Sequence, residues 1–115
     1  MGLRKERLAD EIRDLLGVVF SGGTLTDPRL EGVAITHVQL SADLQVASVY
    51  YRSYGETEVV KIQEALEGCA SFLKKHLSGK LTLHRVPKLR FFYDESIEKA
   101  SRIEGLLEEL KKQSE

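Results

Sequence analysis

The chain has 115 residues, 42% of them hydrophobic, and its 17 Lys and Arg against 18 Asp and Glu leave a formal charge of −1. That is one ordinary domain, long enough to bury roughly two-thirds of the surface its unfolded form exposes, and too apolar to stay disordered. The longest apolar stretch, Leu15 to Phe20 with Gly17 inside it, is six residues, far short of the roughly 18 that a membrane-spanning helix needs.

Residues 3 to 20 place Leu8, Ile12, Leu15, Leu16 and Val19 at helical spacing, with Arg4, Lys5, Arg7 and Arg13 off that stripe. The opening segment MGLRKERLADEIRD lacks the apolar region and small-residue cleavage site of a secretory signal, so the cytoplasm is the expected compartment. Ser21-Gly22-Gly23 stops the helix, and Thr26-Asp27-Pro28-Arg29 reads as a turn. Residues 32 to 40 and 44 to 52 are rich in β-branched and aromatic side chains and are joined by Ser41-Ala42-Asp43, which predicts an antiparallel hairpin.

Residues 56 to 77 repeat apolar groups at Val59, Ile62, Leu66, Ala70, Leu73 and Leu77, predicting a second amphipathic helix closed by Ser78-Gly79. A third strand is predicted over residues 81 to 93, with Leu89, Phe91 and Tyr93 on one parity and His84, Lys88, Arg90 and Phe92 on the other. Pro87 cannot donate to a central ladder, which argues for a bulge or an edge position there. Asp94-Glu95-Ser96 caps a last helix with the stripe Ile97, Ala100, Ile103, Leu107 and Leu110, and residues 111 to 115 are expected to fray. The order is α-β-β-α-β-α: an α+β domain spanning residues 1 to 115, with helices covering one face of a three-stranded sheet.

Acids and bases are sorted along this chain. Residues 31 to 67 hold six acids and two bases, whereas residues 68 to 93 hold Lys74, Lys75, Lys80, Arg85, Lys88 and Arg90 and no acid. A polyanion would meet that window, and the strand displays part of it on one flat face. The plainer alternative is a solvated surface, with Lys74 and Lys75 serving the dipole at a helix end. Phe92 shares the basic parity and suits either base stacking or a second layer under the last helix. Of Tyr50, Tyr51 and Tyr54, some must point inward by alternation, so core filling is the first expectation for them.

Catalytic patterns are absent. Cys69 lies in the helical stripe without a Cys/His signature, His37, His76 and His84 are scattered over three elements, and Gly22-Gly23 alone makes no phosphate loop. One cysteine allows no internal disulfide, and no Cys/His set has zinc-ligand spacing. The expectation is a binding protein without cofactor, metal or small-molecule substrate.

The chain resembles the ribosome-binding factor A family of bacterial small-subunit assembly factors. The resemblance rests on the opening Arg4-Lys5-Glu6-Arg7, the turn Asp27-Pro28-Arg29-Leu30, the link Leu40-Ser41-Ala42-Asp43-Leu44 with Ala47 and Val49-Tyr50, the run Phe72-Leu73-Lys74, and Val86-Pro87 through Phe91-Phe92-Tyr93-Asp94. It implies a type II KH-like fold, binding to the 30S subunit through 16S rRNA, and action late in maturation, including processing of the RNA's 5′ end and growth in the cold. It further implies a monomer without membrane contact. Where the family carries Ala-x-Gly at a kink in the second helix, this chain has Cys69-Ala70-Ser71. A serine bends a helix by bonding back to a carbonyl one turn earlier, which predicts a bend at Ser71; the alternative is a straight helix, since the stripe from Val59 to Leu77 runs without a phase break. The RNA-binding residues expected on charge and resemblance are Arg4, Lys5, Arg7, Lys74, Lys75, Lys80, His84, Arg85, Lys88 and Arg90. A protein-interaction or dimerising module with a basic edge for an acidic partner is the alternative.

Overall fold

The computed structural model describes residues 2–82 and 85–114. Helix α1 (Gly2–Ser21) turns Leu8, Ile12, Leu16 and Val19 inward, as its stripe requires, and ends where Gly22 donates its N–H to the Val18 carbonyl and Gly23 takes a positive φ. A 3₁₀ turn at Pro28–Leu30 follows, started by the Asp27 carboxylate accepting the Arg29 N–H at 2.9 Å, and it buries Leu30.

Strands β1 (Val33–Leu40) and β2 (Val46–Ser53) pair antiparallel. The hairpin link is built by its own side chains: Ser41 Oγ donates to Asp43 Oδ1 at 2.7 Å and accepts the Val46 N–H at 3.0 Å, while Leu44 takes a left-handed φ of 61°. Thr36 is an extra residue between the pairs Ile35↔Tyr51 and His37↔Tyr50, a bulge that shifts the register by one. At the far end of the hairpin Gly32 needs its glycine twice, because its φ is +82° and a Cβ there would sit 2.6 Å from the Gly55 nitrogen.

Strand β3 (Lys88–Tyr93) joins β2 in parallel, so the sheet order is β1-β2-β3. Parallel neighbours need a crossover, and α2 (Val59–Leu77) supplies it. The strand is shorter than the predicted 81 to 93. Its ladder opens with the Lys88 N–H donating to the Gln45 carbonyl at 2.8 Å, immediately after Pro87, which has no N–H to give. Upstream, Gly79 has a φ of 80° and Thr82 is held sideways, donating its N–H and hydroxyl to the Glu11 carboxylate on α1 at 3.0 and 3.1 Å. Leu83 and His84 lie outside the described residues.

Both α1 and α2 pack on the same side of the sheet. Ile12 and Leu16 from α1, and Ile62, Leu66, Leu73 and Leu77 from α2, are wholly buried with Ala47, Val49 and Tyr51 of β2. Each such aliphatic side chain contributes about 1.5–3 kcal/mol on burial. One polar side chain stitches this layer: Gln63 of α2 accepts the Tyr51 hydroxyl at 2.7 Å and donates to the Phe91 carbonyl at 2.8 Å, tying the crossover helix to the centre and the edge of the sheet. Helix α2 is continuous through Cys69-Ala70-Ser71. The bending device expected there is not made: the Ser71 hydroxyl is exposed and forms no bond to a carbonyl among the described residues, whereas the Cys69 thiol donates to the Leu66 carbonyl at 3.5 Å.

The last helix departs from expectation. No residue of α3 (Ser96–Ser114) is buried, and its stripe residues Ile97, Ile103, Leu107 and Leu110 are 57–61% exposed. With α1 and α2 already filling the inner face, the stripe stays mostly open to solvent. The helix also continues through Ser114, over the segment expected to fray. What holds α3 is its first turn. Asp94 Oδ2 accepts the Thr36 hydroxyl at 2.6 Å, Asp94 Oδ1 accepts the Ser96 N–H, and the Arg52 guanidinium bonds the Asp94 carbonyl and both Glu98 oxygens at 2.7–3.0 Å. The bulge thus aims Thr36 at the cap of α3.

Two outcomes follow from these hydrogen bonds. Gln63→Ala strands the hydroxyl of a buried tyrosine and a strand carbonyl, so unfolding in urea should lose about 1–3 kcal/mol; an unchanged midpoint would show that the clamp contributes nothing. The Thr36 hydroxyl and Ser96 N–H hold the Asp94 carboxyl down to about 2, from an ordinary 3.8. A lowered folded-state value means the carboxylate stabilises the fold above its ordinary value, and that contribution fades as pH falls through about 2. Thr36→Val should therefore lower the urea midpoint clearly near neutral pH and much less in strong acid, and an equal loss at both would contradict the assignment.

Candidate nucleic-acid interface

A crossover helix runs back against its strands, so the last turn of α2 arrives beside the start of β3. Three of the six cations of the acid-free window are thereby gathered around one cavity of about 510 Å³ between the hairpin link and the sheet edge, lined by Lys74, Arg85 and Lys88. A second hollow of about 340 Å³ adds Lys75, with Ser71 and Ser78, and shares Lys74 with the first. A third, of about 390 Å³, runs between α2 and the free edge of β3 and is lined by Gln63, Glu67, Ala70, Lys88, Arg90 and Phe92, among others. Through the shared Lys74 and Lys88 the three form one belt around the C-terminal end of α2 and along β3.

Lys74, Lys75, Arg85, Lys88 and Arg90 are exposed, and none of them makes an ion pair among the described residues. Two carboxylates touch the belt. Glu67 lines the third hollow, and Asp43 at the first is occupied by the Ser41 hydroxyl and the Gln45 N–H, which hold its carboxyl below the ordinary value. The balance at the belt is positive. The negative end of the α2 dipole lies here too, and Lys74 and Lys75 offset it.

The remaining expected residues fall elsewhere. Arg4, Lys5 and Arg7 lie on α1 and line none of the three hollows. Lys80 turns back, its ammonium donating to the His76 carbonyl at 2.9 Å. His84 is outside the described residues. Of the three positions expected at a kink, Ala70 and Ser71 line hollows of the belt, whereas Cys69 is half-buried against the core and burial raises its thiol pKa. That placement suits a packed thiol rather than a nucleophile.

Sequence reasoning missed two features. Gln63 forms the wall between α2 and β3, and nothing in the pattern around it separates it from any helical glutamine. Tyr50, assigned first to core filling, lies on the open face of the sheet between His37 and Phe92, with ring centroids at 5.8 and 5.6 Å. The aromatic that fills the core is its neighbour Tyr51, which alternation allowed equally well.

The model of the ribosome-binding factor A family matches residues 4–107. The ribosome-binding factor A of Desulfatibacillum aliphaticivorans is 39% identical over 108 residues, covering 93% of this chain and 87% of its own. That of an Anaeromyxobacter species is 40% identical over 114 residues, covering 97% and 82%. Among solved structures, the crystal structure of ribosome-binding factor A from Thermus thermophilus superposes with a TM-score of 0.72 at 27% identity, over 80% of this chain and 97% of that one. A Thermus thermophilus homology model fitted into the cryo-EM map of a 30S complex superposes with a TM-score of 0.56 at 28% identity, over 74% and 93%.

Proposed function

Because the chain belongs to the ribosome-binding factor A family, we propose that it binds the 30S ribosomal subunit through 16S rRNA and acts late in the subunit's maturation, including processing of the RNA's 5′ end. The role is occupancy without catalysis: a monomer in the cytoplasm that holds one rRNA conformation, with its largest demand in the cold. The observation that carries the reading is the belt of Lys74, Lys75, Arg85, Lys88 and Arg90, five cations unpaired among the described residues and carried by a helix end, an edge strand and the link that leads into that strand. Phosphates that meet such a belt displace their counterions, which supplies affinity without reading sequence. A shaped groove beside it adds preference for one RNA geometry. Arg4, Lys5 and Arg7 are assigned a peripheral part, as is Lys80.

The protein should sediment with 30S subunits and not with 70S ribosomes, since a maturation factor has to leave before translation. Replacing Lys74, Lys75, Lys88 and Arg90 together with Ala should weaken 30S and naked 16S RNA binding alike, and reduce the salt dependence by about one unit for each phosphate that these side chains neutralise. Equal occupancy of 70S particles, or an unchanged salt slope in that variant, would contradict the reading.

A protein contact is the second reading, favoured by the exposed stripe Ile103, Leu107 and Leu110 on α3. It predicts the opposite pattern: 30S association that survives removal of the four cations and fails in Leu107→Ser with Leu110→Ser.

A further inference from the structure

The face of the sheet that α1 and α2 leave open is a second, differently built surface. Its side chains follow from the register. His37 of β1, Tyr50 of β2 and Phe92 of β3 are cross-strand neighbours, and the next row is Gln39, Ser48 and Arg90, after which Lys88 stands beside Val46. The aromatic row crosses all three strands with centroids 5.8 and 5.6 Å apart and interplanar angles of 33° and 31°, so no ring presents only an edge to its neighbour. His37 and Phe92 are exposed and Tyr50 is half-buried between them. A protein with no Trp and four Phe has placed one of those four 42% exposed on a rigid strand, where core packing gains little from it.

We infer that this row is a stacking platform for two or three bases of single-stranded RNA, whose phosphates run along β3 toward Arg90 and Lys88. The inference rests on the rRNA-binding reading and gives it a substrate class: unpaired nucleotides rather than duplex. Charge selects the occupant. On one side of the row lie Arg90 and Lys88, without ion pairs among the described residues; on the other lie the Asp94 and Glu98 carboxylates, already bonded to Thr36 and Arg52. An RNA strand therefore has one favourable way off the platform, over the edge of β3 into the hollow that Phe92, Arg90 and Lys88 also line. Gln39 and Ser48 in the adjoining row offer donors and acceptors to base edges. Every base has a π-face, so such a row binds single strands with little sequence preference, and a duplex, whose bases are stacked on each other, gains nothing from it.

The test is fluorescence anisotropy of a labelled oligoadenylate of about eight nucleotides, a length within the usual range for single-strand sites. Phe92→Ala and Tyr50→Ala should each lower affinity at least about fivefold while leaving the salt slope unchanged. Phe92→Trp should retain affinity and, as the chain's one tryptophan, its fluorescence should be quenched when the oligonucleotide binds. Far-UV circular dichroism and urea midpoints identify any variant that fails to fold, and the exposed Phe92 keeps the test valid if Tyr50→Ala does not fold. Unchanged oligoadenylate affinity in Phe92→Ala, an unquenched Phe92→Trp, or an equal loss against duplex RNA would overturn the platform. Loss of 30S binding with oligoadenylate affinity intact would overturn it in favour of a protein contact. The 30S sedimentation of the same variants separates the two readings: a platform failure with sedimentation intact leaves the rRNA-binding function standing, whereas wild-type protein absent from the 30S fraction removes that function.

Discussion

The parallel pairing of β3 with β2 is the constraint on which the rest of the molecule depends. An antiparallel third strand would have needed only a short turn after Ser53; a parallel one requires the chain to travel back the full length of the sheet before it starts. Helix α2 makes that journey, and Gln63 secures it near its start by bonding Tyr51 in the centre of the sheet and the Phe91 carbonyl at its edge. The return brings Lys74 beside Arg85 and Lys88, residues at least eleven positions away in sequence, with Lys75 in the adjoining hollow. A nearly neutral protein thereby acquires one strongly cationic end.

The two-layer architecture has a second consequence. Two helices suffice to cover the inner face, and burying Leu66, Leu73, Val49 and their neighbours there leaves the outer face bare. Alternation along β3 then puts Leu89 and Phe91 in the core and Lys88, Arg90 and Phe92 outside, so one edge strand serves both the groove beside α2 and the open face. Helix α3, with its place on the inner face already taken, is held at its root by Thr36, Arg52 and the Asp94 cap.

Much of this was legible because it depends on local periodicity. The stripes of α1 and α2, the hairpin around Ser41-Ala42-Asp43 and the parity of Lys88 and Arg90 are set by residues within a few positions of one another. What escaped depends on partners distant in the chain. The start of β3 is decided by Gln45 receiving the Lys88 N–H, and His37 is brought opposite Tyr50 by a register that a single bulged residue, Thr36, resets. The stripe of α3 is as regular as the other two. Periodicity states that a face wants burial, and only the geometry of the finished sheet states whether anything remains to bury it. At Ser71 a local rule, the return bond of a mid-helix serine, was available and is not used.

The claim on which the account stands is that RNA lies along the belt between α2 and β3. Site-specific photocrosslinking from 30S-bound protein tests it directly, with a photoreactive residue at Ser71 in the belt and, in a second variant, at Arg4 on α1. The account predicts that the Ser71 probe joins to 16S rRNA nucleotides at one discrete location and that the Arg4 probe reaches rRNA weakly or not at all. Crosslinks from Ser71 to ribosomal protein alone, with rRNA captured only from Arg4, would contradict it.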